Sequence, residues 1–290
     1  MKLIAIDLDG TLINKGQISQ ENSNAIKKAQ QQGIEVTIAT GRAHFDARKI
    51  CEKAGICAHI ISCNGAMIHL KDGQNISATT IAKNDVEKIL TWLENKNFYY
   101  EVYTDKKIYR PANGKEILEL EMAGITGKSS IKAQWMIKAM CGQAGLDSIN
   151  GYQDFIDTDE AFYKVLACSF DKIKYQHARE NFLEMKHLSL DSSADSNFEL
   201  VDKKVSKGNA LEILAASLRI PFDQVMAIGD SPNDISMLQK VKYSVAMGNA
   251  AEEIKELCNF VTRSYEQDGV AHAIHQALAT NWSSLELGNI

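Results

Sequence analysis

The chain lacks several things that would have settled its class at once. It has no basic excess: 32 lysines and arginines face 37 aspartates and glutamates, for a formal net charge of −5. That argues against a nucleic-acid partner or an anionic membrane surface, because neutralising phosphates needs surplus cations. No run of 18 apolar residues occurs, so no membrane-spanning helix is expected. The N-terminal apolar run meets Asp7 too early to be the core of a signal peptide. Six cysteines are present, yet none form a CxxC pair. Reduced, mostly buried thiols in a cytoplasmic protein are the expected reading. The group Cys57, His59, Cys63 and His69 has no familiar zinc spacing. Solenoid repeats and low-complexity segments are absent too.

What is present begins at the N-terminus. An apolar run from Leu3 to Ile6 has the length and composition of a buried parallel strand, and it ends in Asp7 and Asp9. Delivering two acids to the end of a buried strand costs desolvation unless a cation compensates. Alternate strand residues face opposite ways, so the two acids share a side only where the chain curls at Gly10. The pattern then alternates. Residues 22–32 read as a helix, capped by Ser19 and stopped by Gly33; 34–39 as a strand; 43–54 as a helix stopped by Gly55. Residues 59–62 read as a strand, Asn64-Gly65 as a turn, and 66–70 as a hairpin-like return. This is the rhythm of a parallel sheet covered by helices.

The rhythm breaks near Lys83. Residues 85–96 read as a helix, and 98–104 with 107–110 as an antiparallel strand pair. Alternating aromatic and polar positions in 98–103 predict a sheet with one solvated face. A second helix–strand run follows through 162–171, 174–185 and 187–191. After Lys203 the first rhythm returns: helix 206–216, strand 225–228, short helix 234–240, strand 243–247, helix 250–257, edge strand 260–261 and helix 270–279. The tail from Thr280 lacks periodicity and is expected to be loosely attached. The chain therefore reads as an α/β protein, a Rossmann-like parallel-sheet core with an inserted α+β cap domain. The core takes residues 1–82 and 204–290, and the insert takes 83–203. Linkers at 82–84 and 202–205 are the expected hinges.

Polar clusters follow the predicted core strands: Asp7 and Asp9 with Thr11, Thr40-Gly41-Arg42, and Gly229 to Asp234. Lys207 opens a helix. Parallel strands bring their C-terminal ends to one edge, where ligands bind. Asp7, Asp9, Asp230 and Asp234 would crowd negative charge there, which demands a cation. All-oxygen ligands select a hard ion, and sparse protein ligation favours Mg²⁺ over Ca²⁺. Lysine, hydroxyl and helix-terminal amide beside that ion describe a phosphate site. One carboxylate can attack phosphorus, and a second can protonate the leaving alcohol and later deprotonate water. Asp7, rigid on the strand, suits the first role; Asp9, on the turn, suits the second.

DLDGTL (7–12), TGR (40–42), SKG (206–208) and GDSPND (229–234) resemble, in order, the four motifs of the haloacid dehalogenase (HAD) superfamily. The long insert, Asn64-Gly65-Ala66, and the run from Ala246 to Ala250 are similar to the Cof-type subfamily with its class IIB cap. The resemblance implies a Mg²⁺-dependent phosphatase acting on a small phosphorylated metabolite through an aspartyl-phosphate. It implies Asp7 as nucleophile and metal ligand. Asp9 would be the acid/base and bind metal through its carbonyl, and Asp230 would be the third ligand. Leu8 (through its amide), Thr40, Gly41, Lys207 and Asn233 would hold phosphate, with Asp234 and Arg42 in support. Asp9 favours phosphatases over dehalogenases, which lack the second acid. A phosphomutase and a metabolite-sensing protein with weak phosphatase activity are the alternatives. The chain is expected to be a monomer or weak homo-oligomer. His272 and His275 read as solvated or capping residues. Trp92, Trp135 and Tyr99, Tyr100, Tyr103 and Tyr109 read as cap core and cap surface.

Overall fold

The computed structural model of the chain describes residues 1–123, 125–192 and 196–279. The expectation for the tail from Thr280 lies outside them. Two compact units emerge: Met1–Ser77 joined by the chain from Ser206 onward, and Ala78–Val205.

The first unit opens with β1 (Leu3–Ile6), a short hairpin of β2 (Ile13–Asn14) and β3 (Gln17–Ile18), and α1 (Gln20–Gln31). Ser19 caps α1 by accepting from the Asn22 amide at 3.1 Å, as its residue type predicts. β4 (Glu35–Ala39), α2 (His44–Lys53), β5 (His59–Ser62), β6 (Met67–His69) and β7 (Asn75–Ala78) follow. After the insert come α7 (Lys207–Ser217), β14 (Val225–Gly229), α8 (Ile235–Leu238), β15 (Tyr243–Ala246), α9 (Glu252–Leu257), β16 (Phe260–Val261) and α10 (Gly269–Ala279).

These strands form one eight-stranded sheet in the order β16-β15-β14-β1-β4-β5-β6-β7. The pairs from β16 to β5 are parallel and β5–β6 is antiparallel. Strand alternation sorts the core into two layers. Ile4 and Ile6 pack toward α1, α2 and α10; Leu3 and Ala5 pack toward α7, α8 and α9. β1 lies between β14 and β4, so its end, with theirs, falls on one sheet edge where the winding reverses.

The second unit contains α3 (Lys83–Asn95), β8 (Tyr99–Thr104), β9 (Ile108–Pro111), α4 (Gly114–Met122), α5 (Lys128–Cys141), β10 (Leu146–Ile149), β11 (Phe162–Cys168), α6 (Lys172–Phe182), β12 (Leu188–Asp191) and β13 (Asn197–Asp202). Its six strands run β10-β9-β8-β11-β13-β12 and are antiparallel except for the β9–β10 pair. α3 and α6 cover one face through Val86, Leu90, Ala178 and Phe182.

The other face departs from expectation. A solvated face was predicted for β8, yet every β8 residue is buried and Glu101 is fully enclosed. The reason is α4, whose Gly114 lies against the Tyr99 ring, and the segment after α5, which contributes Gln143. Glu101 stays compatible with burial because it accepts from the Tyr99 and Tyr103 hydroxyls, both at 2.6 Å, and from the Gln143 amide at 2.9 Å. Tyr99, Tyr100, Tyr103 and Tyr109 are thus interior, whereas Trp135 is exposed. Cys57 also departs from the buried-thiol reading: it is exposed, Cys141 and Cys258 are half-buried, and Cys51, Cys63 and Cys168 are buried.

One histidine contact is expected to make the first unit acid-sensitive. The His44 and His69 rings stack at 4.1 Å, and His69 is buried with its Nδ1 unpartnered among the described residues. Burial, reinforced by His44 and Arg48, pushes the His69 imidazole down to about 4. The unfolded chain then binds the extra proton below about pH 6.5, so stability is lost as pH falls from there through 4. His69→Phe keeps the stack and cannot titrate. Its melting temperature should gain on wild type as pH drops across that window, by roughly 2–4 °C per kcal/mol. Parallel melting curves from pH 7 to 4 would remove His69 as the source.

Candidate active site

β1 carries Asp7 to the sheet edge, anchored by its amide donating to the Ile228 carbonyl at 3.0 Å. The residue is buried, 4% exposed. Its Oδ1 accepts from Lys207 Nζ at 2.7 Å; its Oδ2 is buried with no partner among the described residues. Lys207 is the first residue of α7, behind the Ser206 cap, and its ammonium is fully buried. A second bond at 2.7 Å ties it to Asp234 Oδ1. Asp234 Oδ2 in turn accepts the Asp230 and Ser231 amides, both at 3.0 Å. These bonds fold the loop after β14 into a tight cap.

That loop aims Asp230 at Asp7. Thr11 donates to Asp230 Oδ1 at 2.9 Å, and the Ser231 hydroxyl to Oδ2 at 3.2 Å. Gly10 permits the approach: it sits at φ +86°, and a Cβ there would fall 2.5 Å from Asp230 Oδ2. Carboxylate oxygens of Asp7, Asp230 and Asp234 lie within 4.8 Å of one another. Gly65 plays a similar part on the other side, where a Cβ would meet the Ser206 carbonyl at 2.3 Å.

Three carboxylates crowd around one buried ammonium, which bonds two of them, Asp7 and Asp234. Burial, then Asp234, holds the Asp7 carboxyl well above the usual carboxylate range, and Lys207 only partly opposes this. Burial, then Asp234, pushes Asp230 up to about 6. Burial alone would lower the Lys207 ammonium, but Asp234 and Asp7 outweigh it and hold it above its ordinary value.

The predicted residues do not all meet in one cluster. Asp9 turns outward, its side chain 53% exposed. Both its oxygens accept from Arg42, at 2.7 Å from Nε and 2.7 Å from Nη2. Arg42 also holds the buried Asp46 at 2.6 Å. Thr40, at the end of β4, is buried; its hydroxyl accepts the Arg42 amide at 3.2 Å, and its carbonyl accepts the Asn64 amide at 3.0 Å. Gly41 lies between Thr40 and Arg42. Asn233 donates to Asn64 Oδ1 at 3.3 Å. The Leu8 side chain is buried, and its carbonyl closes the turn by accepting from Leu12 and Ile13.

Sequence reasoning gave no role to Asp46, Ser231 or Asn249, although Ser231 and Asn249 stand in runs that it singled out. Asp46 had a signal, since it stands four residues beyond Arg42 on α2. Asn249 follows β15 on the same sheet edge, a position that the strand rule would have flagged. The Cys57, His59, Cys63 and His69 group disperses: Cys57 is exposed, His59 bonds Glu35 at 3.1 Å, and His69 stacks on His44. His272 bonds Thr262 at 3.0 Å.

The site fits a hard divalent cation on its own chemistry. The donors are all carboxylate oxygens, and one lysine against three carboxylates leaves the cluster anionic.

An α/β core bearing carboxylates at its switch point, with a mixed-sheet insert, defines a class of hydrolase, and comparison with known proteins makes it specific. The family model for haloacid dehalogenase-like hydrolases matches residues 4–274. Phosphatase YwpJ of Bacillus subtilis (strain 168) is 45% identical over 286 residues, covering 96% of this chain and 100% of that one. The 5-amino-6-(5-phospho-D-ribitylamino)uracil phosphatase YwtE of the same organism is 38% identical, covering 98% and 100%. A solved haloacid dehalogenase-like hydrolase from B. subtilis superimposes with a TM-score of 0.84 at 44% identity, covering 95% and 99%. The chain belongs to the haloacid dehalogenase-like hydrolase family, in its Cof-type branch of subclass IIB. It is a phosphatase, a phosphoric monoester hydrolase. Among the described residues, no helix is long and apolar enough to cross a membrane.

Proposed function

We propose that the chain is a Mg²⁺-dependent phosphatase that hydrolyses small phosphomonoesters, sugar phosphates or phosphorylated cofactors, through an aspartyl-phosphate on Asp7. The carrying observation is the asymmetry of Asp7: one oxygen is fixed by Lys207, and the other is buried and uncommitted. A fixed carboxylate with one idle oxygen is preorganised for attack. Asp7 Oδ2 bonds to phosphorus, the ester P–O bond breaks, and Asp9 gives its proton to the departing oxygen. Asp9 then takes a proton from water, whose oxygen attacks phosphorus and frees Asp7 with inorganic phosphate. In the structure Arg42 donates to both Asp9 oxygens, which leaves neither free to face a leaving group. The acid role therefore requires Arg42 to release at least one oxygen when substrate arrives.

Asp7, Asp230 and the Asp9 carbonyl would hold Mg²⁺, which when bound would supply positive charge for the transferring phosphoryl group. Lys207, Thr40, Gly41, Asn233 and the Leu8 amide would hold the phosphate oxygens, with Asp234 keeping Lys207 in place. Residues 83–203 would act as the cap that selects the leaving group. Relatives at 38% and 31% identity are named for a ribitylamino-uracil phosphate, which supports a phosphorylated polyol chain as a substrate class. The test is a panel of phosphoesters, including polyol phosphates, assayed with Mg²⁺, after chelation, and after chelation with Mg²⁺ or Ca²⁺ restored. Turnover should vanish on chelation and return with Mg²⁺ alone. Turnover at background across the panel with Mg²⁺ present would overturn the reading.

A further inference from the structure

We infer that Asn249 is a positioning residue for the cation site, its amide holding the Asp230 carboxylate and the Gly10 turn in register. The inference rests on the reading of Asp7 and Asp230 as cation ligands. Asn249 Nδ2 donates to the Gly10 carbonyl at 2.9 Å and lies 3.4 Å from Asp230 Oδ2. Its Oδ1 accepts the Tyr265 amide at 3.0 Å. One exposed side chain therefore ties together three segments that are far apart in sequence.

Exposure matters to the argument. An exposed asparagine gives up little packing when truncated, so its three bonds are its main structural content. Two of them end on the groups that set the cation site. Among the described residues, Asp230 Oδ2 otherwise receives only the Ser231 hydroxyl, a neighbour on its own loop. Thr11 holds the other oxygen from the Gly10 side. Asn249 completes that set from a third loop and pins the Gly10 carbonyl, so the turn after β1 and the loop after β14 cannot drift apart. Carboxylate ligands depend on such outer donors for their orientation, and losing one typically costs about 10–100-fold in metal affinity.

The test uses metal-stripped wild type, Asn249→Ala and Asn249→Ser, titrated with Mn²⁺ and followed by the electron paramagnetic resonance of free Mn²⁺. Metal-free melting, kcat and KM for p-nitrophenyl phosphate accompany it. Both variants should raise the Mn²⁺ dissociation constant by about 10-fold or more. Saturating metal should bring kcat back to within about threefold of wild type, with KM unchanged. The serine variant is the fallback if alanine does not fold, because it keeps a polar side chain yet cannot span to Asp230. A dissociation constant within about twofold of wild type would overturn the inference and leave the cation reading intact. A loss of affinity matched by a lower metal-free melting temperature would also overturn it, since that marks general damage to the loop. If wild type itself binds no Mn²⁺, the cation reading fails and takes this inference with it.

Discussion

Lys207→Met should leave a protein that is markedly less stable and almost inactive. The ammonium is fully buried and makes 2.7 Å bonds to both Asp7 and Asp234. Methionine fills a similar volume but strands two buried carboxylates. Breaking a buried ion pair by removing one partner costs about 3–5 kcal/mol. The chain can escape that cost only by protonating a carboxylate. Asp7 is the candidate, since burial and then Asp234 already hold it above the ordinary range with Lys207 in place. A protonated Asp7 is no nucleophile, so kcat should fall by about 10³-fold or more through lost nucleophile and lost charge stabilisation. The double variant Lys207→Met/Asp234→Asn separates the two effects. Removing charge on both sides should recover much of the melting temperature and none of the activity. Melting curves and kcat on the three proteins measure this. A stable, active Lys207→Met would mean that the lysine is incidental to both roles.

The same residues explain why the carboxylate cluster was readable in advance. Asp7, Thr40 and Asp230 are polar residues placed at the ends of apolar strands, where a sequence has no structural motive to put them. Parallel pairing of β14, β1 and β4 brings all three strand ends to one sheet edge, where Asp7 and Asp230 meet. Lys207 is less legible, because a lysine opening a helix is ordinarily solvated. Its burial depends on Gly65 and Ser206 closing against each other, a contact between distant segments. The outward turn of Asp9 was not legible either. It follows from Arg42 offering two parallel donors, backed by Asp46, and spacing alone does not show which way a turn residue points.

The insert was read less well, for a different reason. α5 carries apolar residues on opposite sides: Ile131 and Trp135 are exposed while Ile137 and Met140 are buried. Apolar residues all round erase the 3.6-residue period that marks a helix. β10 pairs parallel to β9 across a long crossover, and its sequence LDSI carries no strand signature. β8 misled in the opposite way. Its alternation is real, but the polar positions bury Glu101 under Gln143 instead of facing water. Period two reports that two faces differ in polarity; it does not report what covers them.

Asp7→Asn should abolish turnover while making the metal-free protein no less stable than wild type. Asparagine matches aspartate in shape, so its oxygen can still accept from Lys207. What it lacks is the charge and nucleophilicity of the idle oxygen, and loss of a nucleophile typically costs about 10⁴-fold or more in kcat. The stability result has the opposite sign from most core polar substitutions. Asp7 is held above the usual carboxylate range by burial, then by Asp234, with Asp230 adding to it. A carboxyl whose affinity for protons rises on folding makes the folded state less stable as pH rises past its unfolded value. Near neutral pH the wild-type protein bears that cost whenever no cation is bound, and the asparagine variant does not. Melting in chelator at pH 7 should therefore show Asp7→Asn at or above wild type. Added Mg²⁺ should reverse the order, because a ligand bound only by the folded state raises stability with the logarithm of its concentration over its dissociation constant, and the variant has lost a ligand charge. The two readouts bind one residue to two roles. Activity above about 1% of wild type would remove Asp7 as nucleophile. A metal-free melting temperature well below wild type would mean instead that the Asp7 charge holds the fold together, and that the crowding of Asp7, Asp230 and Asp234 is already neutralised without a cation.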